Sequence, residues 1–367
     1  MRKPRKSPVR GRVTGRSRPD PEPSAREPVA REPDVRRRPP GTARLEASSP
    51  ADLLGVVPYL LGFHPEESVV TVLLGEREIV MTARIDAAAL REPVELARYL
   101  DQVRCGQGAL GLVTITYSRD TLARDRTAQL AAQLGPLVLA DALLADGERW
   151  WSVLCDGPCC PPEGTPYDAG SNSLSAAAVF AGMTALPDRA AVQALVAGPP
   201  PKDEPRLSEL VDDALQAAID SSVDARKRLV RRLVDDAVGG PPLSDVDSIR
   251  MAVLVHDLEV RDVAWAQLSR ERAEDHVALW QQVVARTPPW LASAPLCLLG
   301  MAAWVAGNGA LQNCCLERMD RIDPTYTMAD LLADINRRAL PPHYWDELLR
   351  EFRRHPEMLA GQQRIGC

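Results

Sequence analysis

Ser68-Val-Val-Thr-Val-Leu-Leu74, then Gly75-Glu76, then Glu78-Ile-Val-Met-Thr-Ala-Arg-Ile85, is the stretch on which the fold turns. Two apolar, β-branched runs separated by a Gly-containing turn read as the strands of a hairpin. Working outward, residues 93–105 carry Val94, Ala97, Leu100 and Val103 at helical spacing. Gly111–Tyr117 is almost continuously apolar, as in a strand covered on both faces. Residues 120–134 read as a helix, and Leu137–Leu144 and Arg149–Leu154 as strands joined across Asp146-Gly147, a hairpin turn dipeptide. The order β-β-α-β-α-β-β predicts an α/β fold with one mixed sheet and flanking helices.

Past a loop at 156–172, helices are expected at 173–186 and 188–197, and Gly198-Pro-Pro-Pro201 marks a linker. Everything beyond reads as an all-α helical bundle. Ser244-Asp-Val-Asp247 has the form of a capping box opening a helix through Leu258. Leu298–Trp304, Gly307, Gly309-Ala310 and Asp323-Pro324-Thr325-Tyr326 resemble one tetratricopeptide-like hairpin. No second copy follows, which favours a local bundle over a superhelix. Trp265, Trp280, Trp290 and Trp304 are expected in its core, and Asp224 and Asp235 are spaced to pair with Arg228 and Arg231 on a solvated helix face. The expected organisation is a disordered basic Pro/Arg-rich tail at 1–44, a mixed α/β domain with a Cys-rich loop at 45–197, a linker at 198–205, a helical domain at 206–355 and a C-terminal tail at 356–367.

Charge is unevenly spread along the 367 residues. The net charge is −6, yet residues 1–44 hold 14 Lys and Arg against 5 Asp and Glu, with 9 of the 32 prolines. A basic arm on an acidic body could hold phosphates through Arg2, Lys3, Arg5, Lys6 and Arg36-Arg37-Arg38. The arm has no aromatic residue to stack on bases, so nucleic acid is an alternative partner rather than the first. No apolar run reaches the roughly 20 residues that span a bilayer. Residues 1–44 lack the apolar centre of a secretory signal, and eight cysteines are sparse for a disulfide scaffold. The expectation is a cytoplasmic protein with no membrane partner.

Two segments carry the residue types of chemistry. Cys155-Asp-Gly-Pro-Cys159-Cys160-Pro-Pro-Glu-Gly164 puts three thiols within six positions. Cys155, Cys159 and Cys160 are candidate metal ligands, for zinc, with a fourth ligand from elsewhere, His64 or Cys105. No Lys, Arg or His lies in the motif to depress a thiol pKa for redox work, and small thiols shaping a tight loop are the structural alternative. The second segment is Gly62-Phe-His64-Pro65-Glu66-Glu67-Ser68. His64 with Glu66 or Glu67 could act as acid and base, and Ser68 as nucleophile. The plainer alternative has Gly62 ending a helix, Pro65 fixing a turn and Ser68 capping backbone groups. Phosphate-loop, His-Glu-x-x-His and Gly-x-Ser-x-Gly patterns are absent from the sequence, and no Gly-x-Gly-x-x-Gly follows a predicted strand.

Leu53 to Val70, with Val57-Pro-Tyr-Leu-Leu-Gly-Phe-His-Pro-Glu-Glu-Ser68 at its centre, resembles the opening signature of an actinobacterial family, domain of unknown function 4192. Arg84-Ile-Asp86, the Cys155–Gly164 loop, Arg261-Asp262, Ala303-Trp304, Gly307-Asn308-Gly309-Ala310 and Asp323–Tyr326 are similar to later markers of that family, in order over about residues 50–340. The resemblance implies no reaction, cofactor or catalytic residue. The first expectation is a non-catalytic binding or scaffold protein for a protein partner. The alternatives are an enzyme or ligand-binding protein with a pocket near His64 and the Cys155–Cys160 loop, and a nucleic-acid-associated protein acting through residues 1–44.

Overall fold

The computed structural model describes residues 47–155 and 157–354. The arm at 1–44 and the tail at 356–367, with the nucleic-acid reading that depends on the arm, lie outside the described residues.

Ser49 opens α1 (Pro50–Leu61) by accepting a bond from the Asp52 amide at 3.1 Å, with Pro50 in the first turn where no amide partner is needed. Gly62, at φ 81°, closes that helix in the left-handed conformation. The chain continues through β1 (Ser68–Leu74), β2 (Ile79–Asp86), α2 (Pro93–Gly106), β3 (Gly111–Tyr117), α3 (Ala123–Leu134), β4 (Leu139–Ala145), β5 (Arg149–Ser152) and β6 (Thr165–Pro166). The six strands form one mixed sheet in the order β2-β1-β3-β4-β5-β6. The β1–β2 hairpin and the Asp146-Gly147 hairpin form as the sequence predicts. The two-residue strand β6 inside the 156–172 loop has no apolar run to announce it.

The sheet is covered on both faces. Val70, Val72, Val113, Ile115 and Tyr117 point to one core, while Val69, Leu73 and Leu112 point to the other, with Leu100 and Leu130 of α2 and α3. This is the two-residue alternation of a strand written into a wholly apolar run. The first core is continuous with the helical half of the chain.

That half comprises α4 (Ser173–Phe180), α5 (Arg189–Ala194), α6 (Glu204–Ile219), α7 (Val223–Ala237), α8 (Asp245–Leu254), α9 (Leu258–Trp265), α10 (Ala273–Arg286), α11 (Ser293–Val305), α12 (Gly309–Ile322), α13 (Thr327–Arg337) and α14 (Tyr344–Arg354). Ser244 caps α8 as predicted, accepting from the Asp247 amide at 3.0 Å. The helix nevertheless stops at Leu254, because Asp257 caps a new helix by accepting from the Glu259 amide at 3.0 Å. α11 and α12 pack together where Gly300 leaves room for Cys315. That packing does not by itself establish the tetratricopeptide repeat expected of the pair.

Two side-chain expectations are corrected. Trp265, Trp280 and Trp304 are buried, with Trp265 and Trp304 set edge-on to Trp345, but Trp290 is 62% exposed. Trp290 lies in the short 3-10 turn Pro289–Leu291, which follows Pro288. The basic stretch of α7 pairs across to the start of α9 rather than along itself. Arg226 meets Asp257 at 2.8 Å and Lys227 meets Glu259 at 2.5 Å, and among the described residues no ion pair links Asp224 or Asp235 to Arg228 or Arg231. Among the described residues no helix is long and apolar enough to cross a membrane.

Candidate functional site

The topology brings three loops to one end of the sheet. β1 runs antiparallel to β3, so Ser68 at its start pairs with Tyr117 at the end of β3. β3 and β4 are parallel, so Tyr117 also stands beside Ala145 at the end of β4. The turn before β1, the exit of β3 and the exit of β4 therefore converge, at the carboxyl edge where open α/β sheets place their ligands.

They enclose a cleft of about 330 Å³. His64, Glu66 and Glu67 line it, as does the exit of β3 through Tyr117, Ser118 and Arg119. Asp146 and Tyr167 complete the opposite wall. The His64 turn is pinned from behind: the His64 amide donates to Leu186 O at 3.0 Å and the Leu186 amide to Gly62 O at 2.8 Å. Glu67 has φ 40°, a left-handed backbone unusual for a residue with a side chain. Its carboxylate accepts from Ser118 Oγ at 2.9 Å and from the Arg119 amide at 3.3 Å. Arg119 Nε donates to Asp146 O at 2.8 Å, tying the exits of β3 and β4 together.

Of the predicted site residues, His64, Glu66 and Glu67 share this cleft and Ser68 does not. Ser68 is fully buried, donates to Glu66 O at 2.5 Å and accepts from Arg84 Nε at 2.7 Å. Its hydroxyl is committed to the turn, as the structural alternative describes.

Tyr117, Ser118, Arg119, Asp146 and Tyr167 were not singled out from the sequence. Tyr117 is 7% exposed, and its hydroxyl has no hydrogen-bond partner among the described residues. Burial pushes its pKa well up, with Tyr167 adding to the effect, so the phenol remains neutral. Tyr167 is pushed up to about 12 by burial first and then by Asp146. The legible signal was Asp146-Gly147, a hairpin at the end of a buried parallel strand, but only the strand order shows what faces it.

The sulfurs of Cys155, Cys159 and Cys160 lie within 4.8 Å of one another and could hold a metal ion. They sit in the loop between β5 and β6 and do not line the cleft. Trp151 Nε1 donates to Pro162 O at 3.0 Å and Arg149 Nη1 to Gly164 O at 2.8 Å, fixing the far side of that loop to β5. The hydrogen-bonded Cys155 sulfur, partial burial and Cys159 push the Cys160 thiol up to about 12. Neither expected fourth ligand joins the cluster. His64 lines the cleft, and Cys105 ends α2 beside Arg104 and Asp101.

Residues 50–343 match the family model described as Domain of unknown function (DUF4192). No curated protein and no solved structure matches the chain.

Proposed function

The chain belongs to the DUF4192 family, and from the geometry of its cleft we propose that it binds a small polar molecule at the carboxyl ends of β3 and β4. The observation that carries this reading is a cleft walled by polar side chains from three loops, with Tyr117, whose buried hydroxyl has no partner among the described residues, in its lining. A buried hydroxyl left unsatisfied costs about 1–3 kcal/mol, and a ligand atom that accepts from it recovers that cost. Arg119, His64, Glu66 and Asp146 line the same cleft. That set suits a molecule bearing both an anionic or carbonyl acceptor and hydroxyl or ammonium donors, such as an amino acid or a sugar acid. Zinc is the metal cofactor in this reading, and its place is the cysteine loop rather than the cleft.

The test is a thermal-shift panel of amino acids, sugar acids and polyols on the full chain, beside mass spectrometry of small molecules released when the purified protein is denatured. A compound that raises the melting temperature of the native protein, with a smaller rise for Arg119→Ala, supports the reading. A flat panel together with a blank extract overturns it.

A protein-partner surface is the second reading, and Val179 and Phe180 favour it. They are adjacent at the end of α4, with Phe180 94% exposed. Isolated exposed aromatics of that size are more at home in interfaces than in water. Crosslinking of the native protein to a partner that is lost in Phe180→Ser would support it, and equal crosslinking would not.

A further inference from the structure

The geometry points to a zinc ion held by the three thiolates of Cys155, Cys159 and Cys160. The site stands apart from the cleft and does not depend on the ligand proposed there.

The spacing of the sulfurs carries the inference. Cys155 Sγ and Cys159 Sγ are 3.5 Å apart, and Cys159 Sγ and Cys160 Sγ are 4.0 Å apart. Tetrahedral zinc with Zn–S bonds of about 2.3 Å places its sulfurs roughly 3.8 Å from one another. These two separations straddle that value and the third pair lies within 4.8 Å, so the three sulfurs can close on one ion with movements of about 1 Å or less. A disulfide would instead need two of these sulfurs at about 2.05 Å.

Neighbouring cysteines in an extended chain face opposite ways and cannot share an ion. Here the chain is not extended. The Cys160 amide donates to Gly157 O at 2.9 Å, and that turn brings both side chains to the side where Cys155 lies. Gly157 sits directly beside two of the sulfurs. Beyond the turn, the Gly164 amide donates to Pro161 O at 2.8 Å, and Trp151 and Arg149 hold Pro162 O and Gly164 O. The ligands are thus arranged by the edge of the sheet, which lowers the ordering cost of binding.

Among the described residues, no histidine, carboxylate or further cysteine joins the cluster. The proton balance follows: three thiols and one Zn²⁺ give a tris-thiolate complex of net charge −1 and release three protons.

The test uses the full chain, reduced, stripped with chelator and then titrated with zinc chloride while native mass spectrometry counts the ions. One zinc per chain is expected, with affinity at least about tenfold weaker in Cys159→Ser and unchanged in Cys105→Ser. Cys159 and Cys105 are both exposed, so neither substitution opens the core. Titration with Co²⁺ gives a second readout, since sulfur-to-cobalt charge-transfer absorption should appear in the native chain and fall in Cys159→Ser. Three outcomes overturn the inference: no retained zinc, equal zinc binding by Cys159→Ser, or a chain two hydrogens lighter under the same reducing conditions, which would be a disulfide.

Discussion

Replacing Tyr117 with Phe should stabilise the empty protein while weakening its ligand. The substitution removes one oxygen and keeps the ring that packs with Val113 and Ile115 against the first core. An unpartnered buried hydroxyl costs about 1–3 kcal/mol. The void left by one oxygen, on the order of 10 Å³, costs a few tenths of a kcal/mol at about 24 cal/mol per Å³. The net expectation is a gain of about 1–2 kcal/mol, read as a higher urea midpoint at unchanged slope. A compound identified by thermal shift should then bind about three- to tenfold more weakly, the worth of one neutral hydrogen bond. The opposed signs are what distinguish a ligand-facing hydroxyl from a structural one. A Tyr117→Phe chain that loses more than about 1 kcal/mol would show that the hydroxyl is already bonded within the protein, and the cleft reading would lose that support.

Three further outcomes can be checked by denaturation. His276 is 2% exposed, and burial first, then Arg272, lower its pKa to about 4. The folded chain therefore refuses a proton that the unfolded chain accepts below pH 6.5. Stability present above pH 6.5 should fall by about 3 kcal/mol on the way to pH 4, and His276→Gln should flatten that slope; parallel curves would refute the assignment. Trp280→Ala should cost about 3–5 kcal/mol, because that side chain is 2% exposed, whereas Trp290→Ala should change stability by less than about 0.5 kcal/mol. Comparable losses in the two variants would contradict the placement of Trp290. Gly164 has φ 81°, and a Cβ there would overlap the Trp151 indole. Gly164→Ala should cost at least about 2 kcal/mol and weaken zinc binding by shifting the loop, and a neutral effect on both would break the link between loop and sheet.

The strands and most helices were legible because their signals are local. β1 and β3 announce themselves by continuous β-branched runs, and α1 by Ser49 and Pro50 at one end and Gly62 at the other. Failures came where a short polar device overrode periodicity. The helix expected through Leu258 is broken because Asp257 caps the next one, and an Asp before an apolar run looks the same inside a helix as ahead of it. Hydrophobicity alone puts Trp290 in the core, yet Pro288-Pro289 sets it in a turn whose direction no spacing rule gives. In the candidate site, His64, Glu66 and Glu67 stood out as an unusual run. Tyr117 and Arg119 did not, since their meaning depends on β1 lying antiparallel and β4 parallel to β3. That pairing is decided by contacts between residues well apart in the chain, such as Ser68 with Tyr117 and Tyr117 with Ala145.

Glu67 shows how the cleft is held in shape. A side-chain-bearing residue at φ 40° is disfavoured by about 1–2 kcal/mol, and glycine would relieve this. Glycine would also delete the carboxylate that Ser118 Oγ and the Arg119 amide use, leaving the β3 exit without its tie to the turn before β1. The Glu67 backbone carbonyl meanwhile accepts from the Ala87 amide at 3.0 Å, so the strained residue also holds the end of β2. One residue thus joins three loop ends that the sheet alone only brings near each other. Both carboxylate oxygens are engaged in that work, which leaves Glu66 and His64 as the groups of the turn able to meet a ligand.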